Sequence, residues 1–462
     1  MFFVLFLLTT FSAWAQTVSG SIVGTITDST GAVVPNARII LTEVNTGATR
    51  TATSNASGNY AFTNLDAGEY RVEVEVPGFR KAAKSGITVL VNSTVRADVE
   101  LQPGQVTEVV SVTAEVAVLQ TDRADTGRKL ETKLLADMPL PYNRNFQALL
   151  NLVPGATRTF RPHSEFFNVQ DSLSTRVNGQ SRLANNIQIE GTDDNHRTGL
   201  LTAMIPPLEA IQAVDVSTSN YEAELGRAGG AVLNVNFKSG TNEIHGSLFE
   251  FNKVSRLGAR NFFAATKPVT TQNVFGFTLG GPVIKNRLFY FMDYQGIRDR
   301  RGDVHRGTIP MTSFRQGDLN WSRGTDIYDP ATGDENGLGR QPFPNRTIPS
   351  SRISPIARRI LDLIPPPVNN AETINFETNT VRKKDANMGD IKLDYQATDK
   401  DRLSVRWSRQ AFEITDPPLY GVKAGGFRDF AGTGVQNTHN GALIYTRVFS
   451  PTLISELRAG IM

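Results

Sequence analysis

The sequence predicts a mainly β protein built from several domains. Glycine outnumbers methionine 39 to 7 in 462 residues, and the apolar segments are short and punctuated, which argues against an all-helical chain. Those segments alternate. Near the N-terminus Tyr70, Val72, Val74 and Val76 alternate with Arg71, Glu73 and Glu75; near the end Leu403, Val405 and Trp407 alternate with Arg402, Ser404 and Arg406, each giving one apolar and one polar face. No run of 18 apolar residues follows Gln16. A membrane, if the chain enters one, is therefore crossed by a barrel, the other structure that pairs every backbone group in lipid.

The N-terminus, MFFVLFLLTTFSAWAQ, is an apolar run ending in Ala13-Trp14-Ala15, the small-x-small pattern that fits a signal peptidase, although a positive n-region is missing. Residues 1–15 are read as a signal peptide. The 48 Lys and Arg against 45 Asp and Glu leave a net charge of +3 with no basic cluster, so nucleic acid is not expected as a partner. Cysteine is absent, which excludes disulfides, thiolate metal sites and cysteine nucleophiles. The five histidines (His163, His196, His245, His305 and His439) are scattered, with no HxxE, HExxH, GxSxG or P-loop pattern. The chain reads as no enzyme, with no cofactor and no metal.

Residues 19–102 read as one β-sandwich. Val95, Ala97, Val99 and Leu101 alternate with Arg96, Asp98 and Glu100, the one-face-buried signature of antiparallel strands, and turn residues recur at 28–31, 45–47, 55–58 and 66–68. That spacing suits a small Greek-key sandwich of about seven strands. The stretch GTITDSTGAVVPNARIILTEVNTGATRTATSNASGNYAFTNLDAGEYRVEV resembles the carboxypeptidase regulatory-like domain, a carbohydrate-binding-like sandwich. With no peptidase ligands in the chain, this sandwich is non-catalytic.

Beyond Pro103 the pattern changes. GQVTEVVSVTAEV holds an extended stretch over 106–116, followed by the polar TDRADTGRKLETK. Residues 103–114 are read as a linker carrying an accessible strand, whose edge is a template for another chain; the alternative is the sandwich's last strand or a plain linker. A helix follows, with Phe146, Leu149, Leu150 and Val153 on one side, Asn143 or Asn145 as cap and Pro154-Gly155 as stop. Strands are expected at 174–177, 186–190 and 213–217, with a Pro206-Pro207 turn into a short helix around 208–211. A Gly-Gly pair then opens an alternating strand through Leu233, Val235 and Phe237.

RVNGQSRLANNIQIEGTDDN, IPPLEAIQAVDVSTSNYEAELGRAGGAVLNVNFKSGTNEIHGSLFEF and FGFTLGGPVIKNRLFYFMDYQG, in that order, resemble the plug and first barrel strands of TonB-dependent outer-membrane receptors of the Oar-like type, which carry a carboxypeptidase regulatory-like domain. One departure is Glu190-Gly191, where such proteins commonly have Asp-Gly. The resemblance implies an N-terminal β-sandwich, an α/β plug domain at 115–238 and the first strands of an incomplete transmembrane β-barrel at 239–462. It also implies the outer membrane as location, with the sandwich in the periplasm, and active uptake or transport of a large polar substrate: a siderophore, vitamin, oligosaccharide, peptide or protein. The implied partners are the TonB complex of the inner membrane, outer-membrane lipid and the barrel assembly machinery. TonB is expected to pair by strand addition with Glu108, Val109, Val110, Ser111 and Val112. The loop GTDDNHR supplies Asp193, Asp194, Asn195, His196 and Arg197 as candidates to meet the substrate at the plug's outer apex, a solvated turn being the plainer reading.

The residues also suit a barrel, although a soluble sandwich alternates too and the order of the motifs decides between them. Ile391, Leu393 and Tyr395 alternate with Asp390, Lys392 and Asp394; Phe275, Phe277 and Leu279 mark another strand, and LFYFMDY fits an interfacial aromatic girdle. Seven extended segments follow the plug, at 244–252, 273–281, 287–298, 385–397, 402–411, 437–449 and 453–462. Large plugged transporters have about 22 strands, so a fragment is expected, with the remaining strands encoded beyond Met462. The long irregular region between Ile297 and Asp385 reads as an extracellular loop. Within it lie a helix capped by Ser354 with Pro355 at its first turn, and an Arg301-Gly302-Asp303 triplet read as a solvated turn. The competing function is an exported soluble carbohydrate-binding or adhesion protein made of β-sandwich domains, which a detergent requirement would separate from a receptor.

Overall fold

The computed structural model describes residues 19–90, 93–104, 109–113, 126–131, 140, 144–197, 199, 201–221, 225–260, 262, 267–321, 324–426, 432–450 and 453–462. The signal-peptide reading of 1–15 lies outside them, as do Glu108 and Asn143.

The N-terminal unit contains β1 (Gly20–Asp28), β2 (Arg38–Glu43), β3 (Thr49–Thr53), β4 (Asn59–Leu65), β5 (Gly68–Glu75), β6 (Lys81–Val89), β7 (Thr94–Arg96), β8 (Val99–Leu101) and β9 (Val109–Thr113). One sheet has the order β3-β2-β5-β6-β9, and the other is β4-β1-β7 with β8 also on β1. The apolar alternates Ile22, Ile26, Ile39, Leu41, Val72 and Val74 meet between the sheets, and left-handed Gly31, Gly47 and Gly58 make three of the four expected turns. The run 95–101 departs from expectation. It is two short strands, both parallel to β1, because the Asp98 carboxylate between them accepts the Thr25 amide at 2.8 Å and interrupts the ladder.

The second unit contains β10 (Thr126–Glu131), β11 (Asn186–Ile189), β12 (Thr192–Asp193), β13 (Ile211–Ser219) and β14 (Val232–Phe237), in the order β10-β13-β14-β11-β12. β10 comes from the polar stretch TDRADTGRKLETK, within the expected plug, where no strand is expected. It pairs antiparallel with β13 and sends Leu130 into the core, so one apolar residue suffices where the neighbour supplies the ladder. The expected helix is a 3₁₀ helix, Phe146–Leu152, whose Asn145 cap accepts the Gln147 amide and which buries Phe146, Leu149 and Leu150. Residues 174–177 make only isolated bridges to 156 and 160 rather than a strand.

The third unit is one antiparallel sheet in chain order: β15 (His245–Val254), β16 (Thr270–Ile284), β17 (Leu288–Gly307), β18 (Phe376–Thr398), β19 (Asp401–Asp416), β20 (Gly432–Ser450) and β21 (Leu453–Ile461). All seven expected segments are strands, several of them longer than the alternation showed. β17 runs through Arg301-Gly302-Asp303, which is therefore strand and not a turn. Connections at 285–287 and 399–400 are tight, whereas 308–375 and 417–431 lie at the other end and are long. In outer-membrane barrels short turns face the periplasm and long loops the exterior. The long loop holds the expected helix, Pro355–Leu363, capped by Ser354.

The faces of this sheet fall one way. Ile391, Leu393, Val405, Trp407 and Leu443 point outward and are exposed, Ile391 by 54% and Trp407 by 49%; Asp390, Lys392, Asp394, Ser404 and Arg406 point inward and are buried. A water-soluble sheet does the reverse. Apolar outside with charge inside suits a wall between lipid and a polar filling.

The sandwich meets the tight-turn end of this wall. The Asn242 amide donates to the Asn45 carbonyl at 2.9 Å, Asp66 pairs with Arg402, and a cavity of about 280 Å³ at the junction is lined by Glu43, Asp66, Lys392, Arg402, Glu456 and Arg458 among others. Burial pushes the Glu43 carboxyl up to about 7, with Arg402 and two backbone amides offsetting part of the effect. A carboxyl raised above its free value of 4.5 contributes stability that is present in full below pH 4.5 and lost as pH rises through about 7. Thermal unfolding of the protein in detergent should therefore show stability falling across that window, and Glu43→Gln should flatten the fall. An unchanged pH profile in the variant would assign the effect to other groups.

Candidate functional site at the plug–barrel interface

The inward face of the wall is a ladder of rows, because residues opposite each other on neighbouring strands share a level. Lys392 and Arg406 form one row; Asp390, Ser408 and Asn440 the next; then Met388, Gln410 and Thr438; then Ala386, Phe412 and Gln436. The second unit fills the space in front of them and is clamped at two heights.

The lower clamp is built on Glu190. β11 ends at Ile189, and Glu190 and Gly191 are both left-handed, at φ 49° and 75°. Such a conformation is costly for a residue with a side chain, and here it coincides with a Glu190 carboxylate that reaches the wall. It accepts from Lys392 Nζ at 2.6 Å and Arg406 Nε at 3.0 Å, while the Glu190 carbonyl accepts from Arg458 Nη1 at 3.2 Å. Arg406 donates further to Ser408 and Asn440 and lies over the Phe237 ring, 4.9 Å from its centroid. Burial works against the charge on Glu190, yet the two cations hold its carboxyl below the usual range. The departure from Asp-Gly is thus the position of the clamp: the extra methylene extends the reach from the turn toward the wall.

Two rows higher, Gln410 Nε2 donates to the Ile205 carbonyl at 2.6 Å and its Oε1 accepts the Ile205 amide at 3.1 Å. The upper clamp follows. Asp171 pairs with Lys384 and Arg161, and Glu165 pairs with Arg382 at 2.7 Å and Arg301 at 3.4 Å as well as with Arg161. Burial acts to raise the Glu165 carboxyl, but Arg161, Arg382, Arg301 and Lys384 together bring it down to about 2.

The loop residues singled out in the sequence divide. Asp193 is exposed and pairs with Arg227 at 2.8 Å. Asp194 and Asn195 are buried: Asp194 accepts the Met204 amide at 3.0 Å, and Asn195 donates to the Asn186 side chain and the Ile187 carbonyl. These two staple the hairpin, and burial pushes the Asp194 carboxyl well above its usual range. His196 and Arg197 are exposed near the tip. The hairpin climbs toward the long loops: Thr192 lies against Gly460 near the Arg406 row, Gln436 of a higher row donates to the Ala203 carbonyl, and Gly199 sits beside His163. The coupling candidates Val109, Val110, Ser111 and Val112 lie in β9, paired in parallel with β6. Among the described residues no group of three or more His, Asp or Glu side chains is arranged to hold a metal.

Sequence reasoning missed both clamps. The plug carboxylates and the wall cations they meet lie between 136 and more than 200 positions apart, so no local spacing records them; the alternation identified only which wall residues face inward.

Residues 236–462 match the outer membrane beta barrel domain family and residues 21–102 the carboxypeptidase regulatory-like domain family. The TonB-dependent transporter Oar of Myxococcus xanthus is 28% identical over 300 residues, covering 61% of this chain and 27% of that protein. The chain thus spans about a quarter of the length of this curated relative. Among solved structures, a mutant ferric enterobactin receptor from Pseudomonas aeruginosa aligns over 74% of this chain and 46% of its own, at 13% identity and a TM-score of 0.37. The siderophore receptor PirA from Acinetobacter baumannii aligns over 72% and 47%, at 15% identity and a TM-score of 0.33.

Proposed function

We propose that this outer-membrane protein, a relative of the TonB-dependent transporters with an N-terminal carboxypeptidase regulatory-like domain, is a receptor that takes up a large polar substrate past a force-released plug. The observation that carries this reading is the seven-stranded wall whose apolar face is turned out while its buried cations clasp carboxylates of the second unit. Ion pairs suit a plug that must move. Water can hydrate the separated charges once the plug shifts, whereas an apolar seam would have to expose its surface. A soluble adhesin gives no reason for the outward apolar band.

In this reading residues 19–102, with β9 of the segment 103–114 added to their sheet, form a periplasmic accessory, 115–238 the plug and 239–462 barrel wall. Substrate arrives from the long-loop side, where Asp193, His196 and Arg197 offer both charges and an imidazole to a siderophore, vitamin, oligosaccharide or peptide. Asp194 and Asn195 support the hairpin from within. The TonB complex pairs with residues 108–112, of which 109–112 lie in β9, where main-chain hydrogen bonds supply affinity. Proline at Val110 deletes a donor and restricts the residue before it. Val110→Pro in the full-length protein should weaken binding of a purified TonB C-terminal domain at least tenfold without altering membrane insertion. Unchanged binding would remove the coupling site from this strand.

A further inference from the structure

The strand assigned to coupling is not free chain. β9 is the last strand of the five-stranded sandwich sheet, held in parallel register with β6, Lys81 opposite Val109 through Ser85 opposite Thr113. In a ladder of this kind alternate residues of a strand direct their N–H and C=O groups to the neighbour, and the residues between direct theirs to the other side. Pairing with β6 therefore uses one edge of β9 only. No described strand pairs with the other.

We propose that the sandwich presents β9 as a ready-made docking edge, and that the periplasmic energy-coupling partner adds a strand to the open side of β9 while β9 stays on β6. The sandwich thereby becomes part of the coupling site. This rests on the reading of residues 108–112 given above and adds where the strand stands when it is captured. Two features select an energy-coupling partner as occupant. Open edges of this kind are templates for strand addition, and this one lies in the chain between β8 and β10, so that tension applied to β9 passes along the chain directly to β10, an edge strand of the plug sheet. An ordered strand also spares the partner the backbone entropy of straightening a loose one, about 1–2 kcal/mol per residue.

The absence of cysteine makes the test clean. In Ala83→Cys/Ser111→Cys, a register pair, oxidation ties β9 to β6 in the full-length protein, closure being followed by loss of free thiol; Ala82→Cys/Val110→Cys serves if the first pair does not close. Binding of a purified TonB C-terminal domain to the oxidised protein should stay within about twofold of the reduced form, with β6 amides remaining protected from exchange in the complex. A tenfold or greater loss on oxidation, recovered on reduction, would show that β9 must leave the sandwich and would overturn the docking edge alone. Absence of binding in both redox states would overturn the coupling reading and the docking edge with it.

Discussion

Glu190→Ala is expected to loosen the plug in its wall by about 3–5 kcal/mol, the usual cost of removing one partner from a buried ion pair. The loss comes from what stays behind. Lys392 and Arg406 remain buried against the plug with no carboxylate between them; among the described residues Arg406 keeps Ser408, Asn440 and the Phe237 ring, and the wall carboxyls Asp394 and Asp390 lie near Lys392 and Arg406 without bonding to them as Glu190 does. Glu190→Gln, which retains an acceptor but no charge, should fall between parent and alanine. Chemical unfolding in detergent, followed by limited proteolysis of the plug, reads the effect. Asp193→Ala provides the contrast, since its pair with Arg227 is about half exposed on both sides and exposed pairs contribute about 0–1 kcal/mol. A Glu190→Ala loss no larger than that of Asp193→Ala would mean that water reaches the clamp and that the plug is held elsewhere.

The parts of this fold that could be read from the sequence are those where one face meets a different medium from the other. The alternation of Ile391, Leu393 and Tyr395 with Asp390, Lys392 and Asp394 registers a wall with lipid on one side and a polar filling on the other. Where that contrast ends, legibility ends with it. β17 continues through the Arg-Asp-Arg-Arg stretch at 298–301 to Gly307, and β18 begins at Phe376; above the lipid band both faces are polar, so strand and loop look alike. β10 hides for a related reason: among its described side chains Leu130 alone is buried, giving no period to detect. The hairpin from Thr192 shows the limit for the site. Asp193, Asp194, Asn195, His196 and Arg197 are all polar, and only the fold determines that the second and third turn inward while the others stay exposed. The clamps are further out of reach, because each joins a plug carboxylate to wall cations 136 or more residues later, a pairing created by sheet register.

Val405→Lys tests the outward face directly. Val405 lies between Leu403 and Trp407 along β19 and opposite Leu393 and Leu443 on the neighbouring strands, so apolar rows surround it on the outer surface. If that surface meets lipid, a lysine there costs about 2–4 kcal/mol near the bilayer midplane. If it meets water, a lysine at a site already 39% exposed costs about 0.5 kcal/mol or less, as surface substitutions do. The adjacent position makes the comparison internal to one strand: Arg406 carries a cation on the inner face, where Glu190, Ser408 and Asn440 receive it. The same charge is therefore accommodated one residue away and excluded at Val405, a distinction that depends only on which side of the sheet faces hydrocarbon. Unfolding equilibria measured in lipid vesicles and in water-soluble detergent should show the lysine penalty growing as the host becomes a true bilayer. A penalty under about 0.5 kcal/mol in vesicles would show that the outer band does not contact lipid and would return the sheet to the soluble class.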